Sequence, residues 1–198
     1  MFYQPQDADH GLAADPFKAL VAPRPIGWIS TLSDDGVANL APYSFFNAVA
    51  EDPHYVAYGS GGAKHTLANI RATGEFCVNL VTAELAAAMN ATSALVGPEV
   101  DEFELAGVKK AACRLIRPPR VADSPVALEC RLFHILDLPG AAGAVNDWLV
   151  VGQVVGIHIA DRCISQGRVQ TAAMGLIARL GYSHYATISE SWAMRRPD

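Results

Sequence analysis

The turn Ser33-Asp34-Asp35-Gly36 joins two short segments rich in strand formers, Ile26 to Leu32 and Val37 to Ala41. No other feature constrains the fold as much. Asp-Gly favours tight turns that need positive φ, so the two segments read as the arms of a β-hairpin. The first arm contains Trp28 and Ile29 and runs into the hydroxyls of Ser30 and Thr31. The second carries small and polar residues where an ordinary core strand would carry Val or Ile. It leads into Asn39-Leu40-Ala41-Pro42-Tyr43-Ser44-Phe45-Phe46-Asn47.

Further strands are predicted at Ser44 to Val49, Tyr55 to Gly59, Phe76 to Val81, Val126 to Leu136 and Trp148 to Ile159. Gly152 and Gly156 interrupt the last of these, as at a bend or bulge. Helices are predicted over Phe17 to Val21, with Asp15 as N-cap and Pro16 opening the first turn, over Lys64 to Arg71, and over Thr82 to Asn90 with Thr82 as N-cap. Gly74 supplies a stop signal for the second. Thr92 to Pro125 reads as a loop-rich region. Many short strands with few helices favour a β-barrel over a βαβ sheet.

The chain has 198 residues, which suits a single domain over 1–198, and a formal net charge of -5, which argues against a nucleic-acid partner. No apolar run is long enough for a membrane span, and the N-terminus lacks the pattern of a signal peptide, so a cytoplasmic protein is expected. Cys77, Cys113, Cys130 and Cys163 have apolar or strand-like neighbours and read as reduced thiols.

Several kinds of chemistry find no support. Gly59-Ser60-Gly61-Gly62-Ala63-Lys64-His65-Thr66 lacks the order of a P-loop. The six histidines show no zinc spacing, so a metal site would have to be assembled from distant segments, and none is expected. No Gly-x-Ser-x-Gly elbow is present. The glycine-rich segment does lead into a helix start with Lys64 and Thr66 in the first turn. That suits an anion, through free N–H groups and an ammonium, and equally suits an ordinary loop with a solvated lysine. Ser30, Thr31, Asn39, Ser44 and Asn47 offer donors and acceptors near the hairpin, Arg24 offers a guanidinium fork, and Trp28, Tyr43, Phe45 and Phe46 can wall a flat ring. The same aromatics also suit a packed core.

Pro23 to Thr31 (PRPIGWIST), Asn39 to Asn47 (NLAPYSFFN), Lys64 to Ile70, Thr73 to Asn79, Ser124 to Cys130 (SPVALEC), Gly156 to Ile159 and Arg179 to Tyr182 resemble, in order, the flavin reductase-like family with an FMN-binding split barrel. The resemblance implies a mainly β fold, a six-stranded antiparallel Greek-key barrel with added helices, in a homodimer. It implies that Ser30, Thr31, Tyr43, Ser44, Phe45 and Asn47 line FMN, and that Arg24, Ser44, Lys64 and Thr66 lie near its phosphate. Arg179, Gly181 and Tyr182, with Tyr185, would approach from the tail. The family usually carries Lys-Asp-Thr where this chain has Lys64-His65-Thr66. The implied activity is NAD(P)H:flavin oxidoreduction, with a separate monooxygenase as partner and no residue required as acid or base, since the flavin carries the chemistry. The alternative is an FMN-binding electron-transfer or storage protein without NAD(P)H activity.

Overall fold

The computed structural model describes residues 1–7 and 9–197. Its strands are β1 (Arg24–Pro25), β2 (Gly27–Leu32), β3 (Ala38–Tyr43), β4 (Phe46–Glu51), β5 (His54–Gly61), β6 (Glu75–Asn79), β7 (Lys110–Ala111), β8 (Arg120–Val121), β9 (Val126–Pro139), β10 (Val145–Ile159), β11 (Ile164–Ser165), β12 (Arg168–Val169), β13 (Ile177–Arg179) and β14 (Tyr185–Thr187). The α-helices are α1 (Phe17–Leu20), α2 (His65–Thr73), α3 (Ala86–Ala91) and α4 (Glu102–Leu105).

Seven strands form one antiparallel sheet in the order β3-β2-β6-β9-β10-β5-β4. Strands β3 and β4 are its two edges, yet only Ser44 and Phe45 separate them in sequence. Two residues span about 10 Å at most, so the sheet must curl until its edges nearly meet. The result is a split barrel, and the Gly59 N–H donating to the Phe45 carbonyl at 2.7 Å continues the β4–β5 pairing up to the seam. The fold is the expected one, with seven strands in the sheet rather than six. A small sheet, β1-β13-β14, ties the tail to the segment before the hairpin.

The β2–β3 hairpin forms as read, with Gly27 opposite Tyr43 and Leu32 opposite Ala38, and Gly36 takes φ 84° at the turn. Both faces of β2 are covered. Ile29 joins Tyr58, Leu67, Phe76, Val78 and Val150 inside the barrel, while Trp28 packs with Leu40, Met89, Phe103 and Val121 outside it. Register shifts in the β9–β10 pair fall at Val151/Gly152 and Val154/Gly156, so both glycines sit at irregularities as their sequence context implied. A Cβ on Gly152 would lie 2.3 Å from the Phe76 ring.

Helix α2 starts one residue later than predicted and ends at Gly74, which adopts the left-handed conformation at φ 71°. At α1 the N-cap falls on Pro16, one residue after the expected Asp15, and carries no side-chain cap, although Asp15 Oδ1 accepts from the Phe17 N–H at 2.9 Å. Two further readings need correction. Thr82 makes no side-chain cap, because the chain enters α3 through a 3-10 turn at Ala83–Leu85. The segment read as loop-rich holds α4 and the β7–β8 pair, and Asp101 caps α4 by accepting from the Phe103 and Glu104 N–H groups.

Glu129, 1% exposed on β9, fixes the preceding segment at Arg114 and Leu115 to the barrel. Its two oxygens accept from the Arg114 N–H at 2.7 Å and the Leu115 N–H at 2.6 Å, and Oε1 also pairs with His158 Nε2. Burial pushes this carboxyl up, but the backbone donors and the imidazole outweigh it and hold the group below its usual range. A depressed carboxylate stabilises the fold above its unfolded value, and that contribution is lost as pH falls through the folded value. Acid denaturation below about pH 4 is therefore expected to be steeper in the wild-type protein than in Glu129→Gln. Urea melts from pH 6 to pH 3 measure the difference; parallel curves would remove Glu129 from the account.

Candidate functional site

The seam between β3 and β4 opens into a cavity of about 860 Å³. Pro42, Tyr43, Ser44 and Phe45, Gly59 and Gly61 of β5, and Trp148 of β10 line it. The tail contributes Arg179 and Tyr182. Both glycines are closely approached: a Cβ on Gly59 would lie 3.2 Å from Phe45, and one on Gly61 would lie 3.2 Å from Asp147 Oδ1. The volume falls in the range of pockets for small organic ligands.

A second cavity of about 270 Å³ adjoins it, and Pro42, Tyr43 and Lys64 belong to both. It lies at the start of α2, with His65, Thr66, Asn39 and Glu102 in its wall. This helix has nine residues, no acid in its first turn and no side-chain cap. Its first N–H groups thus lack intrahelical partners and face a lysine-bearing cavity, which favours an anion. Asn39 Nδ2 donates to Thr66 Oγ1 at 2.9 Å, so the threonine hydroxyl keeps its own hydrogen for another acceptor.

Tyr43 Oη is buried near the Thr66 and Ser60 hydroxyls, but makes no hydrogen bond of good geometry, and Tyr58 Oη is likewise without a partner among the described residues. Burial pushes both phenols up, so each remains a donor at neutral pH. Glu102 is the one acid of the smaller cavity. Burial pushes its carboxyl up, against the opposing effects of the Leu40 N–H and the nearby His65 imidazole.

The structure brings Arg24, Tyr43, Ser44, Phe45, Lys64, Arg179 and Tyr182 to the larger cavity and Asn39 and Thr66 to the smaller. Arg24 arrives with most of its guanidinium committed. It donates to the carbonyls of Lys18, Val21 and Leu180, and stands 5.7 Å from the Phe45 ring centroid, leaving only Nε without a partner. Gly181 is buried against α1, where a Cβ would lie 2.4 Å from that of Ala19. This close approach sets the position of Tyr182, which takes φ 55° in the following turn. Arg179 bonds the Tyr182 carbonyl and the Tyr185 hydroxyl, and so braces the same turn.

Ser30, Thr31 and Asn47 are placed elsewhere. Ser30 donates to the Pro119 carbonyl at 2.5 Å, and Thr31 accepts from Asn69 Nδ2 at 3.0 Å, both in the fully buried interior. They hold β2 to the neighbouring loop and to α2. Asn47 is exposed on β4 and accepts from the Ala48 N–H. The sequence reading omitted Pro42, Gly59, Gly61 and Trp148 as lining residues. The signal was present in Gly59-Ser60-Gly61, whose glycines lie inside β5 rather than in the turn that follows.

Residues 20–173 match the family model described as Flavin reductase like domain. Among solved structures, the chain is similar to nitrilotriacetate monooxygenase component B from Bacillus cereus, with 29% identity, a TM-score of 0.88 and 98% of each chain covered. It is also similar to the 2-nitrobenzoate 2-nitroreductase NbaA from Pseudomonas fluorescens, with 29% identity, a TM-score of 0.83 and coverage of 91% of this chain and 88% of that one. A split-barrel-domain protein from Shewanella frigidimarina NCIMB 400 shares the fold at a TM-score of 0.85 and 21% identity, over 100% of this chain and 99% of the other.

Proposed function

Because the chain belongs to the flavin reductase-like domain family, we propose that it binds FMN across the two adjoining cavities and acts as an NAD(P)H:flavin oxidoreductase. The observation that carries this reading is the junction at Tyr43 and Lys64, where a ring-sized cleft meets an uncapped helix start. A flat aromatic system with an anionic arm fits that pair of spaces. The unpartnered Tyr43 hydroxyl, buried at the junction, supports the fit with a donor for such an arm.

In this reading the α2 N–H groups, the Lys64 ammonium and the Thr66 hydroxyl hold the phosphate. Ser44 and the seam backbone meet the ring edge, while Phe45, Trp148 and Tyr182 exclude water from its faces. Bound there, FMN supplies the redox chemistry by accepting hydride from the reduced nicotinamide. The residues of the chain contribute orientation, which is the larger part of what such a reaction asks of a protein. Exposed apolar side chains on β4 and β9, including Val49, Phe133 and Leu136, support a homodimer. The likeness to a monooxygenase component supports a separate monooxygenase as the consumer of reduced flavin.

Quenching of FMN fluorescence on titration, followed by oxidation of NADH or NADPH with ferricyanide as acceptor, tests the reading. Saturable quenching with FMN-dependent turnover is expected; no turnover with either nucleotide would contradict the assigned activity. Ser44→Ala should weaken FMN binding by about threefold to tenfold, the value of one hydrogen bond. An unchanged dissociation constant would take Ser44 out of the ring contacts.

A further inference from the structure

The far end of the β9–β10 pair carries a further cavity, of about 540 Å³. Strand β10 passes from Trp148 in the cleft wall to Ile157 in this one, nine residues on. At strand rise the two residues are at most about 30 Å apart, and the two cavities share no lining residue. The guanidinium-bearing residues Arg114, Arg120 and Arg162 line the cavity, together with His158. Three arginines share one pocket in a chain whose net charge is -5.

None of the three arginines has an ion-pair partner among the described residues; the one nearby pair is His158 with Glu129. The Arg120 Nε is buried without any hydrogen-bond acceptor. Glu129 is the only acid in the lining, and its oxygens already accept from two backbone N–H groups and pair with His158. Its oxygens are therefore already engaged by the protein, and no ion pair links it to the guanidiniums.

Cys113, Glu129 and His158 bring their ligand atoms within 4.8 Å of one another, a spacing that would suit a divalent cation. The surrounding charge opposes this. A cation would compete with the two backbone donors for the Glu129 oxygens and lie beside uncompensated guanidiniums. An anion meets neither obstacle. Guanidinium forks match phosphate oxygens in pairs, which makes phosphate the anion this arrangement recognises best. Leu115, Ile157 and Ile159 add an apolar rim next to the charged groups, suited to an organic substituent.

We propose that this cavity is a second ligand site, separate from the flavin cleft, that binds a small phosphate-bearing molecule through Arg114, Arg120 and Arg162. Calorimetric titration of the protein saturated with FMN, at low salt, with inorganic pyrophosphate, ADP and adenosine tests it, since the flavin occupies the cleft and these compounds separate the phosphate from its organic carrier. Pyrophosphate and ADP should each bind, and adenosine should not. Equal affinities would place recognition in the phosphates alone, and tighter binding of ADP would add the apolar rim; both support the site.

The location is tested with Arg120→Met and Arg162→Met, each expected to weaken ADP binding by about tenfold or more, from the loss of a charge-assisted hydrogen bond. Arg162 is exposed, so its replacement leaves the fold intact. Lys64→Ala, in the flavin cleft, should leave this binding unchanged. The proposal is overturned if neither phosphate compound binds, if adenosine binds as well as ADP, or if both arginine variants keep the wild-type affinity.

Discussion

Arg24→Met is expected to lower stability by about 3 kcal/mol, because three carbonyl groups lose their donor and each is worth about 1 kcal/mol or more when left unpaired. The melting temperature of a chain of this size should fall by roughly 6–12 °C. Arg24 is 6% exposed and links α1, through Lys18 and Val21, to the tail at Leu180. Losing that link frees the turn that carries Tyr182 into the cleft. FMN binding should weaken as well, as a consequence of the loosened wall. The two effects separate competing roles. An arginine that held the flavin phosphate would, on replacement, lose FMN affinity with little change in stability. Thermal melts of the flavin-free protein decide between them, and an unchanged melting temperature would reverse the role assigned to Arg24.

Lys64→Ala should weaken FMN binding by about tenfold at low ionic strength, by removing the one ammonium at the start of α2. Lys64 is exposed, so the effect should shrink as salt rises. The helix N–H groups and Thr66 remain in this variant, which is why binding should survive in weakened form. Fluorescence titrations at two salt concentrations measure both features. Equal affinities of wild type and variant at low salt would move the phosphate away from α2.

Much of the barrel was legible because its strands obey local rules. The Asp34-Asp35-Gly36 turn fixes the first hairpin, and Gly152 and Gly156 mark irregularities in β10 that the structure contains. The order of the strands was not local information. The short Ser44-Phe45 connection forces the sheet edges together only once β3 and β4 are known to be those edges. For the same reason Ser30 and Thr31 looked like candidates for the cleft. Hydroxyls at a strand end usually face outward, but both faces of β2 are covered here, and these two bond the chain interior. Helix α4 was missed although Asp101 has the character of a cap, since a four-residue helix gives almost no periodicity. The placement of Gly181 against Ala19 depends on a contact between distant segments that no motif encodes.

We propose that this chain holds FMN in the seam of the split barrel and reduces it with a nicotinamide nucleotide. The most direct measurement is the visible absorbance of the FMN-loaded protein under argon during titration with NADH and then NADPH. The account predicts that at least one of them bleaches the flavin band at a stoichiometry of one nucleotide per flavin, and that Lys64→Ala does so only at higher FMN concentration. A band that dithionite bleaches but that neither nucleotide changes would contradict it.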